Sequence, residues 1–161
     1  MAEKDNSEAI ISLIIVDDHA LVREGIQNFL RTQNDIQLVG IAENGEQAVE
    51  LAKQHVPDVA LVDLLMPIMD GIETTRQIKH VSPHTQVIVL TSYHEDEHIF
   101  PALRAGALSY ILKDVDANSL TTAIQLAKHG ESVLETDVAT RVIKELNGYN
   151  DLDLNTFHEL K

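Results

Sequence analysis

The 161-residue sequence contains no cysteine and few basic residues. Without cysteine, disulfides, thiolate catalysis and cysteine-ligated metal sites are excluded. The 12 Lys and Arg residues are outnumbered by 26 Asp and Glu residues, which gives a net charge of −14 at pH 7. Because binding to phosphate backbones or anionic lipids requires clustered basic side chains, we do not expect this chain to bind nucleic acid or a membrane surface by itself.

Long apolar runs are also missing. None approaches the roughly 20 residues of a membrane span, and Met1–Ser7 is polar rather than signal-like. The hydrophobic content of 44% is nevertheless sufficient for a core. We therefore expect a soluble, acidic, cytoplasmic domain, with the excess of carboxylates still to be explained.

Four short apolar runs predict strands. They are rich in β-branched residues and do not alternate with polar ones, which is typical of strands buried on both faces of a parallel sheet. A weaker candidate, Gln37–Ala42, suggests an edge strand. The four runs are Leu13–Val16, Val59–Val62, Val87–Leu90 and Tyr110–Leu112.

Amphipathic helical patterns and turn signals lie between these runs, as in Leu120–Ala127 and at Asn44-Gly45 and Asp70-Gly71. The alternation predicts five βα units with right-handed crossovers, and thus a doubly wound α/β fold with helices on both faces of a parallel sheet. We assign residues 10–130 to this domain.

The pattern changes after Gly130. Residues 131–161 predict a connector helix, capped by Thr136 or Asp137, followed by a polar linker at 147–156 and an abrupt end at Lys161. Packing is the expected role of the apolar residues of this helix, with a dimer contact as the alternative. These residues are Val138, Val142 and Leu146; Ile143 is a fourth apolar residue of the predicted helix.

Polar residues close four of the predicted strands. In an open α/β sheet, ligands bind beyond the carboxyl ends of the strands, so these residues converge on one edge: Asp17-Asp18, Asp63, Thr91-Ser92 and Lys113-Asp114. Three neighbouring carboxylates repel one another unless a cation lies among them, and oxygen ligands beside phosphate chemistry favour Mg²⁺. Asp63, on the middle strand, is the best candidate for a nucleophile that forms an aspartyl phosphate.

The sequence resembles the response-regulator receiver domains of two-component signalling. Four motifs carry the resemblance, in family order and spacing, and together they cover residues 12–130: Ile15–His19, Val62–Gly71, Val89–Ser92 and Gly106–Asp114. The resemblance implies a flavodoxin-like, five-stranded parallel sheet of strand order 2-1-3-4-5.

The same resemblance implies a role for each matching residue. Asp63 would accept a phosphoryl group from a sensor histidine kinase, and Lys113 and Thr91 would contact that group. Mg²⁺ would be held by Asp17, Asp18, Asp63 and the backbone carbonyl of Leu65. Tyr110 occupies the aromatic switch position, where a half-buried core aromatic is the alternative, and would respond to Thr91.

Asp114 follows Lys113 where many receivers have proline, which leaves the geometry of that peptide open. An Asp there resembles the NarL/LuxR class, whose members join a receiver to a helix-turn-helix DNA-binding domain. That resemblance implies a phosphorylation-controlled transcription switch that forms a homodimer and binds DNA only through a domain absent from these residues. The alternatives are an Mg²⁺-dependent phosphohydrolase with an aspartyl-phosphate intermediate and a standalone receiver that acts by protein–protein interaction.

Two histidine-containing features compete with this interpretation. His94–His98 fits the H-E-x-x-H pattern of zinc proteases, but it directly follows a buried strand and lacks an obvious third ligand, so we interpret it as a solvated helix start. His19, next to the acidic pair, is expected to be a loop residue near the site rather than a ligand.

Overall fold

The computed structural model describes residues 10–92, 96–134, 139–140, 142–144 and 146–147. The central fold consists of five strands that alternate with five α-helices, with a 3₁₀ turn at Asp96–His98 before the fourth helix. In chain order the elements are β1 (Ile11–Val16), α1 (Ala20–Leu30), β2 (Ile36–Ala42), α2 (Gly45–His55), β3 (Val59–Asp63), α3 (Gly71–Val81), β4 (Gln86–Thr91), α4 (Ile99–Arg104), β5 (Ser109–Leu112) and α5 (Ala117–Lys128).

All neighbouring strands of the sheet are parallel, and their order is β2-β1-β3-β4-β5. This confirms the predicted doubly wound fold and its strand order. The weaker strand candidate is β2, which lies at an edge of the sheet as expected. Within the described ranges, no helix has the length and apolar character that a membrane crossing requires.

The core has two halves, one on each face of the sheet. Successive side chains of a strand point to opposite faces, so Ile14 and Val16 belong to one half and Leu13 and Ile15 to the other. The first half is closed by α2, α3 and α4, and the second by α1 and α5. Burial on both faces explains why the strand runs contain no polar alternation.

Side-chain caps fix the start of three helices. Asn44, Asp70 and Asp116 each accept a hydrogen bond from the backbone N–H three residues later, at 2.8–2.9 Å. This N-cap arrangement satisfies a donor that would otherwise lack a partner. Two of these caps lie at the predicted turn signals, so the loops between strand and helix are defined by local sequence.

After α5 the chain returns to the open edge of β5. The backbone N–H of Val133 donates to Ser109 Oγ at 2.9 Å, and Leu134 forms a parallel bridge with Tyr110. Residues 139–140, 142–144 and 146–147 are helical, and Val142 packs against the core. The predicted cap at 136–137, Val138, the linker beyond residue 147, and residues 94–95 of the H-E-x-x-H motif lie outside the described residues.

Candidate functional site

The carboxyl ends of four strands bring the predicted site residues together. Asp17 directly follows β1, Asp63 ends β3, Thr91 ends β4 and Lys113 directly follows β5. Since β1, β3, β4 and β5 are neighbours in that order, these residues line one edge of the sheet. The predicted convergence is therefore present in the fold.

A buried ion pair lies at the centre of this edge. Lys113 Nζ is 2.9 Å from Asp63 Oδ1 and 3.5 Å from Asp17 Oδ2. The side chains of Asp63 and Asp17 are almost fully buried, whereas that of Lys113 is 20% exposed. Lys113 thus links the carboxylates at the ends of the first and third strands and remains partly exposed to solvent.

The protonation of this pair follows from its surroundings. Burial, together with the charges of Asp17 and Asp18, raises the pKa of Asp63 to about 6, although its hydrogen bond and ion pair with Lys113 oppose the shift. Burial alone would lower the pKa of Lys113, but its hydrogen bond to Asp63 and the two nearby carboxylates hold the pKa above its ordinary value. At neutral pH Asp63 and Lys113 are therefore both ionised, and the cluster contains three carboxyl groups beside a single ammonium group.

The excess carboxylate charge makes a suitable cation site. Asp17, Asp18, His19 and Asp63 each offer one ligand atom, and these atoms all lie within 4.8 Å of one another. Among the described residues, Asp17 Oδ2 and Asp63 Oδ2 are the buried side-chain oxygens or nitrogens without a hydrogen-bond partner. Buried carboxylate oxygens without partners are costly, so the donor set fits a hard divalent cation shared by these groups.

The position of His19 agrees with the sequence-based expectation, and the structure adds the orientation of its ring. The residue lies in the loop as expected, but its ring is turned into the acidic cluster, with Nδ1 3.1 Å from an oxygen of Asp17 and 3.1 Å from one of Asp18. Nothing in the sequence pattern distinguishes a ring that points inward from one that points to solvent. The adjacency to the acidic pair was the one available signal.

Thr91 and Tyr110, the predicted switch pair, lie on the adjacent strands β4 and β5. Both are 1% exposed, so Tyr110 is more buried than the half-buried aromatic considered as its alternative. Thr91 Oγ1 donates to the carbonyl of Ser92 at 2.9 Å, and the Thr91 carbonyl accepts from the Lys113 backbone N–H at 2.7 Å. The backbone therefore connects Thr91 directly to Lys113.

The loop between β3 and α3 carries the remaining predicted residue. Leu65 lies two positions beyond Asp63, with a side chain that is 52% exposed. Ile68 in the same loop has a positive φ of 73°, a strained conformation for a β-branched residue. In the loop that follows β5, the peptide between Lys113 and Asp114 is trans. The described residues contain no cis peptide bond.

Comparison with known proteins gives a consistent assignment. A family model described as the response regulator receiver domain matches residues 13–125. The transcriptional regulatory protein LiaR of Bacillus subtilis (strain 168) is 44% identical over 137 residues, which cover 85% of this chain and 65% of LiaR. The response regulator protein VraR of Staphylococcus aureus (strain NCTC 8325) is 44% identical over 132 residues, covering 82% of this chain and 63% of VraR.

Solved structures show the same likeness. A two-component response regulator of the LuxR family from Aurantimonas sp. SI85-9A1 superposes with a TM-score of 0.78 at 28% identity, covering 84% of this chain and 97% of that one. The chain spans slightly less than two thirds of the length of the two curated relatives.

Proposed function

This chain belongs to the response regulator receiver domain family, and from that premise we propose that Asp63 accepts a phosphoryl group from the phosphohistidine of a sensor histidine kinase. One observation carries the proposal: Asp63 Oδ1 is bound by Lys113 at 2.9 Å, whereas Asp63 Oδ2 is buried without a hydrogen-bond partner. One oxygen is thus oriented and neutralised, and the other is available for bond formation.

In the proposed step, an Asp63 oxygen attacks the phosphorus of the phosphohistidine. The new O–P bond forms as the P–N bond to the imidazole breaks, and the kinase histidine leaves. Lys113 contributes a fixed positive charge beside the transferred group, and Thr91 at the end of β4 offers a hydroxyl to one of its oxygens. Catalysis of this transfer depends mainly on positioning and electrostatic stabilisation.

We propose that Mg²⁺ is the cation of the site, held by Asp17, Asp18, Asp63 and the backbone carbonyl of Leu65. The two partnerless carboxylate oxygens and the cluster of ligand atoms within 4.8 Å support this assignment. When bound, the ion would supply positive charge to phosphoryl oxygens. Asp17 and Asp18 would hold that ion beside Asp63, and Lys113 keeps Asp63 oriented.

The proposed response to phosphorylation passes through Thr91 and Tyr110. Movement of the Thr91 hydroxyl toward a phosphoryl oxygen would break its bond to the Ser92 carbonyl and open space next to the buried ring of Tyr110. Phosphorylation then favours one of two packings of β4, β5 and α4, because only a difference in interaction between two states shifts their populations.

The output is proposed from the relatives, whose printed names describe transcriptional and response regulators. Residues 10–130 act as the receiver, and residues 131–161 connect it to a helix-turn-helix domain outside this sequence. Phosphorylation would promote a homodimer that binds DNA through that domain in the cytoplasm. A receiver that acts by protein–protein interaction alone remains the second reading; the comparisons do not favour a phosphohydrolase.

A small phosphodonor such as acetyl phosphate tests the proposal. With Mg²⁺, we expect one acid-labile phosphoryl group per chain, located on Asp63 by mass spectrometry and absent from Asp63→Asn. An Asp70→Asn variant, changed at a helix cap, serves as the matched control and should be labelled like the wild type. A label that persists in Asp63→Asn, or continuous release of phosphate from phosphoesters, would contradict the proposal.

A further inference from the structure

His19 lies at the junction of β1 and α1, where one ring nitrogen contacts the carboxylate cluster and 60% of the side chain is exposed. Nδ1 is 3.1 Å from Asp17 Oδ1, 3.1 Å from Asp18 Oδ1 and 3.8 Å from Asp63 Oδ2. A single ring nitrogen thus faces all three acidic groups of the site.

The backbone holds His19 in this place. Its N–H donates to Asp17 Oδ1 at 2.8 Å, and its carbonyl accepts the first helical hydrogen bond, from Arg23 N–H at 3.0 Å. His19 is the N-cap residue of α1, yet its side chain makes no capping hydrogen bond. The His19 ring instead contacts the cluster, with Nδ1 within hydrogen-bond distance of Asp17 Oδ1.

One buried carboxylate oxygen without a hydrogen-bond partner faces the imidazole. Asp63 Oδ1 is bound by Lys113, while Asp63 Oδ2, which faces His19 Nδ1, has no hydrogen-bond partner although its residue is 3% exposed. Asp17 Oδ2 also lacks a hydrogen-bond partner, but it faces Lys113 Nζ at 3.5 Å rather than the imidazole. A buried carboxylate oxygen without a hydrogen-bond partner next to a ring nitrogen indicates a group that both can bind, and a divalent cation has that property.

We propose that His19 Nδ1 is a nitrogen ligand of the divalent cation held by Asp18 and Asp63. The inference rests on the proposed function, because it concerns the same cation, and it adds a determinant of metal selectivity. Imidazole binds Mn²⁺, Co²⁺ and Zn²⁺ better than it binds Mg²⁺. The site therefore discriminates less in favour of Mg²⁺ than an all-oxygen site would, and His19 is the residue responsible.

Mn²⁺ is the probe for this proposal, since its paramagnetism reports its ligands directly. Pulsed EPR (electron spin echo envelope modulation) of the Mn²⁺-loaded 161-residue chain should show coupling to a ¹⁴N nucleus. His19→Ala and His19→Gln should remove the coupling and weaken Mn²⁺ binding about tenfold, while Mg²⁺ binding, measured by competition, changes less than about threefold. His129→Ala, at the exposed end of α5, is the matched control and should retain the coupling.

The outcomes separate this inference from the proposed function. Mn²⁺ that binds without ¹⁴N coupling, or coupling that survives in both folded His19 variants, would overturn the role of His19 and leave the carboxylate site intact. Failure of Mn²⁺ and Mg²⁺ to bind, or binding unaffected by Asp18→Asn and Asp63→Asn, would overturn the cation site itself. Circular dichroism of each variant verifies that the fold is retained.

Discussion

Gly71 leaves no space for a side chain against the backbone of Asp63. A Cβ placed on Gly71 would collide with the Asp63 carbonyl oxygen and would come within 2.8 Å of Leu64 Cα. The Gly71 N–H also donates to the Leu64 carbonyl at 2.7 Å. The start of α3 therefore packs directly on the strand end that carries Asp63, and a glycine at this point is a requirement of the site.

Gly71→Ala should consequently damage both stability and phosphorylation. Because the collision is with backbone rather than with a flexible side chain, α3 and the end of β3 must move apart. We expect the free energy of unfolding to fall by about 1–3 kcal/mol and phosphorylation by acetyl phosphate to slow more than tenfold. Urea unfolding and a phosphorylation time course measure the two effects.

Gly25→Ala in α1 is the matched control. A Cβ there has nothing within 4 Å, and alanine is favoured over glycine in a helix by roughly 0.5–1 kcal/mol. This variant should therefore be slightly more stable than the wild type, with an unchanged phosphorylation rate. If both glycine variants behaved alike, close packing at Gly71 would not be the cause.

Asp63→Asn should stabilise the metal-free protein at neutral pH. Burial raises the pKa of Asp63 from 3.8 to about 6, so its ionisation in the folded chain opposes folding. Removing that charge should raise the free energy of unfolding by about 1–3 kcal/mol. The measurement is urea unfolding at pH 7.5 with EDTA, where the wild type carries the full carboxylate charge.

The same stabilisation should depend on pH in a defined direction. The folded chain holds the Asp63 proton more tightly than the unfolded chain does, so this carboxyl favours folding less as the pH rises from about 4 to about 6. The advantage of Asp63→Asn should thus be small near pH 4 and complete above pH 6. An advantage of equal size at both pH values would contradict the assigned cause.

Much of this fold could be predicted from local patterns. Apolar runs such as Leu13–Val16 are strands because burial on both sheet faces leaves no position for polar residues. Caps such as Asn44 and Asp70 lie in the loops because their side chains satisfy helix N–H groups. The strand-end residues Asp63 and Lys113 could be placed together because parallel strands share one edge for their carboxyl ends.

Contacts made by side-chain rotation or by distant segments could not be predicted in the same way. The inward ring of His19 depends on a rotamer that no spacing rule fixes. The bond from Val133 to Ser109 joins residues that are 24 positions apart, and neither carries a distinctive motif. Asp58 contacts Ser12, 46 positions away, and Lys128, 70 positions away. Such a cluster can be identified only from the folded structure.

Asp58 should have the opposite pH behaviour to Asp63. Burial alone would raise the pKa of Asp58, but the backbone N–H of Ser12 and the ammonium of Lys128, 3.0 Å away, lower it. Its ionised form therefore stabilises the fold above its unfolded pKa of 3.8, and the contribution is lost as the pH falls below that value. Asp58→Asn should be less stable than the wild type at pH 7, with the difference shrinking near pH 3.

Lys128→Met and the double variant isolate the ion pair. If Lys128 supports folding through Asp58, the two single losses should add to more than the loss in the double variant. Thermal unfolding of the four proteins at pH 7 and near pH 3 gives the comparison. If the coupling energy between Asp58 and Lys128 were the same at pH 7 and near pH 3, the interaction would not depend on the charge of Asp58.

Ser109→Ala should loosen the segment that follows α5 from the edge of the sheet. Ser109 is fully buried, and its hydroxyl oxygen accepts the Val133 N–H at 2.9 Å. Loss of this acceptor leaves a backbone donor without its partner, which costs roughly 1 kcal/mol. Hydrogen exchange at the Val133 amide, followed by NMR, should accelerate about fivefold or more, with a similar loss of stability in urea.

Ser132→Ala provides the control for this effect, because Ser132 is exposed in the same segment and its replacement removes no contact with β5. Exchange at Val133 should stay at the wild-type rate in this variant. If Ser109→Ala left that rate unchanged, the Leu134–Tyr110 bridge alone would hold the segment to β5. If both variants accelerated it equally, local flexibility rather than the buried hydroxyl would control exchange. Only a selective effect of Ser109 ties residues 133–134 to the strand that carries Tyr110 and leads to Lys113.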